Sequence, residues 1–173
     1  KSVNKGGSWE TISPDLTMNN PEQQKLDETG GLTLDITGAE TYNTIITIAA
    51  SAKQKGVIWV GTDDGNVQLT TDGGKTWTNF RGKIAGMPTG CWIPQIQASR
   101  HNAGEAFIVA NDYRRGDFKA YIFRTTDFGK TWTRLIDDNK VRGYALCVLQ
   151  DPTEANLIFA GTEHGLWVSL DNG

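Results

Sequence analysis

One eight-residue pattern recurs along this chain and limits what it can fold into. Thr70-x-Asp72-x-Gly74-x-Thr76-Trp77 matches Thr125-x-Asp127-x-Gly129-x-Thr131-Trp132 position for position. A third copy opens at Ser169-x-Asp171-x-Gly173, and a weaker one stands at Ser2-x-Asn4-x-Gly6-x-Ser8-Trp9. The copies are 68, 55 and 44 residues apart. Their flanks repeat too: Val57-Ile58-Trp59-Val60-Gly61-Thr62-Asp63-Asp64-Gly65 answers Leu157-Ile158-Phe159-Ala160-Gly161-Thr162-Glu163-His164-Gly165. Internal repeats of this length signal supersecondary units stacked against one another.

Each unit reads as four short strands, rich in Val, Ile, Thr and aromatics and bounded by Gly and Asp turns. The first whole unit predicts strands at 44–50, 57–61, 67–71 and 76–80; the second at 93–98, 106–111, 120–125 and 131–136. A partial unit predicts strands at 144–149, 157–161 and 166–170. Two-residue hairpins are expected at Asp64-Gly65 and His164-Gly165. The chain has 173 residues with 20 Gly and 20 Thr, a composition that favours strands and turns, and its sixteen aromatic residues supply core material. Four-stranded units at this period mean an all-β fold, a partial β-propeller of about three blades. The expected parts are an outer strand of an incomplete blade (1–17), a long polar loop (18–43), two full blades (44–80 and 81–136) and an incomplete blade (137–173).

The repeated motif lies between the third and fourth strands of each unit. Asp72 and Asp127 can accept hydrogen bonds from turn N–H groups. Gly74 and Gly129 allow a backbone conformation that a Cβ opposes. Thr76 and Thr131 start the outer strand, and Trp77 and Trp132 are expected to bury their rings between neighbouring sheets. Trp9 holds the same place in the first copy. Asn4 replaces Asp there, keeping the acceptor oxygen and losing the charge. A turn tolerates that exchange and a general acid does not, so the repeated acids read as structural.

These residues resemble the Asp-box, or BNR repeat, of sialidases, two-propeller xyloglucanases, sortilin-type receptors and photosystem assembly factors. The longer string through Trp9-Glu10-Thr11-Ile12-Ser13-Pro14 and on to Gly65 is similar to large secreted bacterial proteins described as sortilin-like or glycosyl-hydrolase-like. The resemblance implies a segment of a much longer polypeptide, resident outside the cell or in the periplasm, with ligands on the face opposite the Asp-boxes.

Charge narrows the partners. The net charge is −3, so the chain has no excess of basic residues for nucleic acid or an anionic membrane to meet, and no apolar run is long enough to span a bilayer. Unpaired strand edges at an incomplete blade predict a possible homo-oligomer that completes the ring. Two cysteines, Cys91 and Cys147, read as separate buried thiols. With only His101 and His164, no zinc site is expected, and neither metal nor cofactor is implied.

Loops joining the fourth to the first strand and the second to the third gather on the face opposite the motif. Their candidate ligand-binding residues are Asp63, Trp92, Tyr113, Arg114, Arg115, Arg142, Tyr144, Glu163 and His164. Arg and Tyr suit carboxylates, sugars or peptides; Trp92 and Tyr144 suit stacking. Asp63 with Asp64 could form a carboxylate pair, although adjacent residues point in different directions. No G-x-S-x-G elbow is present, and Gly73-Gly74-Lys75-Thr76 opens a strand rather than a phosphate-binding helix. The function expected is a non-catalytic interaction or scaffold module binding protein or glycan. The alternatives are part of a glycoside hydrolase, with catalytic carboxylates partly outside the chain, and an assembly-factor-like propeller that chaperones a partner complex.

Overall fold

The computed structural model describes residues 1–25 and 42–173. Among the described residues, eleven strands form three antiparallel sheets. Strands β1 (Ile45–Ala50), β2 (Ile58–Thr62), β3 (Val67–Thr70) and β4 (Thr78–Asn79) make the first, in that order. Strands β5 (Trp92–Ala98), β6 (Ala106–Asp112), β7 (Asp117–Thr125) and β8 (Thr133–Arg134) make the second. Strands β9 (Ala145–Gln150), β10 (Ile158–Thr162) and β11 (Gly165–Ser169) make the third. Each sheet is a simple meander, as the repeat requires.

The sheets stack face to face in chain order. Between the first and second lie Trp59, Val67, Leu69, Phe80, Ile93, Ile96, Ile108 and Phe123. Between the second and third lie Phe107, Val109, Ile122, Val148 and Ile158. Strand β6 is buried along its whole length because both neighbours cover it. Its unbroken apolar run Ala106-Phe107-Ile108-Val109-Ala110 reflects burial on two faces. Glutamines bridge the innermost strands: Gln95 Oε1 accepts the Val148 N–H at 2.7 Å and Gln97 Oε1 accepts the Gln150 N–H at 2.7 Å. These contacts satisfy backbone donors on β9 that a lone sheet edge would leave to water.

The repeated motif builds the same turn each time. Thr70 Oγ1 accepts the Gly74 N–H at 2.9 Å, Asp72 Oδ1 accepts the Thr76 N–H at 3.0 Å, and Asp72 Oδ2 accepts the Thr76 hydroxyl at 2.7 Å. Thr125, Asp127, Gly129 and Thr131 repeat this with bonds of 2.9, 2.9 and 2.6 Å. In the partial copy, Ser169 Oγ accepts the Gly173 N–H and donates to Asp171 Oδ1, both at 2.7 Å. Asn4 Oδ1 accepts the Ser8 N–H at 2.9 Å, while its Nδ2 donates to Ser8 Oγ at 2.9 Å. The amide keeps the acceptor role and reverses one donor.

Several expectations change. The outer strands contract to two residues each, because only Gln68 and Leu69 pair with β4, and Phe123 and Arg124 with β8. Trp9 to Ile12 carries no strand. This segment instead runs beside the first sheet, where Ile12 C=O accepts the Trp77 indole N–H at 3.2 Å. Trp9 is 77% exposed, since no sheet among the described residues covers it. Trp77 and Trp132 are half-buried rather than enclosed, although Trp132 packs edge-on against Trp59 and Phe80. Cys147 is exposed on the innermost strand β9, which has no further sheet against it, whereas Cys91 is buried.

Most of the expected 18–43 loop, residues 26–41, lies outside the described residues. Its described ends are tied down. Leu16 is buried and its C=O accepts from Asn66 Nδ2 at 3.0 Å and Gln68 Nε2 at 2.9 Å. Asn43 Oδ1 accepts the Asn20 N–H at 2.6 Å just before a short 3-10 turn at Pro21–Gln24.

Candidate functional site

The antiparallel meanders put the Asp-box turns that follow β3, β7 and β11 at one end of the strands. The connections 63–66, 113–116 and 163–164, with the inter-blade loops 80–91 and 135–144, lie at the other. The candidate residues converge there unequally.

The centre is an aromatic cluster capped by a guanidinium. The Arg114 guanidinium carbon lies 4.5 Å from the Trp92 ring centre and 4.6 Å from that of Tyr113. Tyr113 stacks on Tyr144 at 4.2 Å, and Phe118 lies 6.4 Å from Tyr144. Tyr42 approaches the other side of the cluster, 5.7 Å from Trp92. Cation–π contacts of this kind contribute about 0.5–1 kcal/mol at exposed sites. Tyr113, Arg114 and Arg115 form a short 3-10 turn closed by Gly116 N–H bonding Tyr113 C=O at 3.0 Å. The segment is therefore a built corner and not the open hairpin tip its polarity suggests.

Arg115 has a structural task. Its Nε donates to Asp112 Oδ1 at 2.6 Å and its Nη2 to Thr89 C=O at 2.7 Å, tying β6 to the loop before β5. Trp92 is buried, so it serves as the floor under Arg114. Arg142, Glu163 and His164 are exposed on the rim of the third sheet. The Arg142 C=O accepts the Thr162 hydroxyl at 3.1 Å, leaving its side chain to solvent.

The Asp63–Asp64 pair is buried and divided in its tasks. Asp63 Oδ1 accepts the Thr44 N–H at 2.7 Å. Burial pushes its carboxyl up to about 6, against that hydrogen bond and with help from the neighbouring Asp64 charge. Asp64 Oδ1 accepts the Thr62 hydroxyl at 2.5 Å, and its Oδ2 accepts the Met18 N–H at 2.7 Å. The turn here spans three residues, closed by Thr62 N–H to Asn66 C=O at 3.1 Å, not the two residues expected from Asp64-Gly65. In the third sheet Gly165 pairs with Thr162, so the tip is Glu163-His164 rather than His164-Gly165.

The Asp-box acids sit apart from this chemistry. Hydrogen bonds from the Thr76 hydroxyl and N–H hold Asp72 well below the usual carboxylate range, and Thr131 does the same for Asp127. Each titrates within its own turn. Among the described residues no group of three or more His, Cys, Asp or Glu is placed to hold a metal ion. His101 Nε2 lies 2.7 Å from Asp151 C=O, within a loop on the Asp-box end.

Sequence reasoning missed Tyr42, Phe118 and Lys119. Phe118 carries a weak signal, an aromatic just past the Gly116 turn in a strand whose other large apolar residues are core. Tyr42 carries none, because its place depends on the fold of a neighbouring blade.

No family model matches the chain. Over 126 residues it is 29% identical to an oligoxyloglucan-reducing end-specific xyloglucanase of Emericella nidulans, covering 72% of this chain and 15% of that protein. A GH74 xyloglucanase from Xanthomonas campestris superposes with a TM-score of 0.61 at 14% identity, over 79% of this chain and 22% of that one. YCF48 from Cyanidioschyzon merolae gives 0.53 at 24% identity, over 75% and 34%. A YCF48 structure bound to D1 peptide gives 0.55 at 19% identity, over 75% and 38%. The chain is a run of β-propeller blades. It spans a minor part of each of these relatives, and the structural likenesses speak to fold alone. No helix among the described residues is long and apolar enough to cross a membrane.

Proposed function

We propose that the chain is a non-catalytic interaction module of a larger propeller, taking a protein ligand on the face opposite the Asp-boxes. The observation that carries this reading is the Arg114 guanidinium spread over Trp92 and Tyr113, with Tyr113 stacked on Tyr144. Arg and aromatic residues on a rigid base are the residue types that dominate protein-binding sites. YCF48, similar in fold, has been solved with a peptide bound. A glycan ligand is less well supported, because the Trp92 and Tyr113 rings are already engaged by Arg114 and Tyr144 where a sugar ring would stack. Residence outside the cytoplasm is part of the proposal and rests on the resemblance to secreted bacterial propellers.

A second reading, part of a glycoside hydrolase, draws on Asp63 and on the xyloglucanase similarity. It needs a second carboxylate from another blade, about 5–9.5 Å away across a cleft. Asp64 is an unsuitable partner, since both its oxygens are committed to Thr62 and Met18. The test is a hydrolysis screen on xyloglucan and related glycans with the intact protein, alongside a peptide-binding array. Binding without turnover is expected. Turnover that Asp63→Asn abolishes would replace the first reading with the second.

A further inference from the structure

We infer that the ligand of this platform is an acidic peptide segment carrying an apolar side chain, an inference that rests on the binding-module reading above. The platform continues into a groove of about 390 Å³ lined by Gly116, Asp117, Phe118, Lys119, Asp138, Val141 and Arg142. The ring contacts Arg114–Tyr113, Tyr113–Tyr144 and Tyr144–Phe118 make one continuous surface from Trp92 to this groove.

The charges on that surface are unbalanced in their availability. Two of its carboxylates are neutralised in ion pairs, and Asp117 keeps its charge. Asp112 pairs with Arg115 at 2.6 Å, and Asp138 pairs with Arg134 at 2.5 Å. Asp117 accepts the Tyr121 hydroxyl at 2.7 Å and the Lys119 N–H at 3.1 Å. Arg114, Lys119 and Arg142 are exposed, and among the described residues none makes a side-chain ion pair, although the Lys119 charge acts on Asp117. Among the described residues, Asp117 in the groove and Glu163 on the blade-three turn offset two of these three charges.

Arg114 is held against the Trp92 and Tyr113 rings and is exposed, so its guanidinium fork is within reach of a ligand. That fork matches a carboxylate in two parallel hydrogen bonds. Phe118 is 56% exposed, 6.4 Å from Tyr144, and gives an apolar ligand side chain somewhere to sit. A sugar acid would satisfy Arg114 but would gain little from rings already covered, so the peptide is favoured.

The test uses the intact protein and fluorescence anisotropy. The probes are a short fluorescein-labelled peptide rich in Glu with interspersed Phe, its Glu→Gln counterpart, polygalacturonate, and xyloglucan oligosaccharides. The Glu peptide is expected to bind at least about tenfold more tightly than the Gln peptide, the size of one charge-assisted hydrogen bond. Arg114→Gln should weaken it about tenfold, and Arg114→Lys should restore only part of that loss, because the charge returns without the fork. Raising NaCl from about 50 to about 500 mM should weaken it further. Equal binding of the two peptides overturns the acidic preference and leaves the binding-module reading intact. Binding of a glycan with no peptide binding overturns the peptide assignment. Hydrolysis of xyloglucan overturns the reading on which the inference rests.

Discussion

Replacing Gly129 with alanine drives a methyl group into the seam between the first two blades. Gly129 sits in the second Asp-box turn at φ +82, and a Cβ added there lies 2.6 Å from Phe80 Cε1. Phe80 is 6% exposed and packs 5.6 Å from Trp132 and 5.8 Å from Trp59, so its ring has no free space to enter. The left-handed backbone costs an L-residue about 1–2 kcal/mol. Forcing a methyl into a filled core costs about 1–3 kcal/mol more. A loss of about 3 kcal/mol is therefore expected. Gly82→Ala is the control: φ is +71 there and nothing lies within 4 Å of the added Cβ. It should cost only the backbone share, about 1 kcal/mol. Equilibrium urea unfolding followed by tryptophan fluorescence measures both, read from midpoints at constant slope. Equal losses in the two variants would refute the claim that this turn clamps one blade onto the next.

Asp63 gives a pH signature of opposite sign to a salt-bridged acid. Its folded-state value of about 6 lies above the ordinary 3.8, so the folded state holds the proton longer than the unfolded one. Its contribution to stability should fall as pH rises from about 4 to about 6 and stay level above that, and Asp63→Asn should remove this segment of the pH profile. Iodoacetamide applied to the folded protein should label exposed Cys147 and spare Cys91, whose thiol burial pushes up to about 12; mass mapping checks which is modified. The Glu105–Arg124 pair, at 2.6 Å with Glu105 4% exposed, supports a double-mutant cycle. Arg124→Met alone strands a buried carboxylate and should cost about 3 kcal/mol, while adding Glu105→Gln should recover much of it.

The architecture was legible because its signal is local, a set of hydrogen bonds within each motif. Thr, Asp and Gly at fixed offsets close a turn through bonds made within the motif, so the turn needs no information from elsewhere. Strand bounds were less legible at β4 and β8, where pairing extends only two residues and the rest of the apolar pattern serves packing. Trp9 has the pattern of its repeat partners, yet its environment depends on a neighbouring sheet that sequence position does not reveal. The site was half legible. Tyr113, Arg114 and Tyr144 were found by residue type and loop position, but their stacking arises from three separate elements meeting. Arg115 has the same chemistry as Arg114 and a different role, because Asp112 and Thr89 lie within its reach. Cys147 fits a strand pattern and is exposed because no sheet among the described residues covers that face of β9.

On the proposed reading the repeated acids build the ring and the opposite face does the binding. Affinity of the intact Asp72→Asn/Asp127→Asn variant for the acidic peptide tests it most directly, because Asn4 shows that an amide closes the turn. Unchanged affinity is expected there, with a clear loss in Arg114→Gln. Loss of binding in the Asp-box variant while Arg114→Gln binds normally would contradict it.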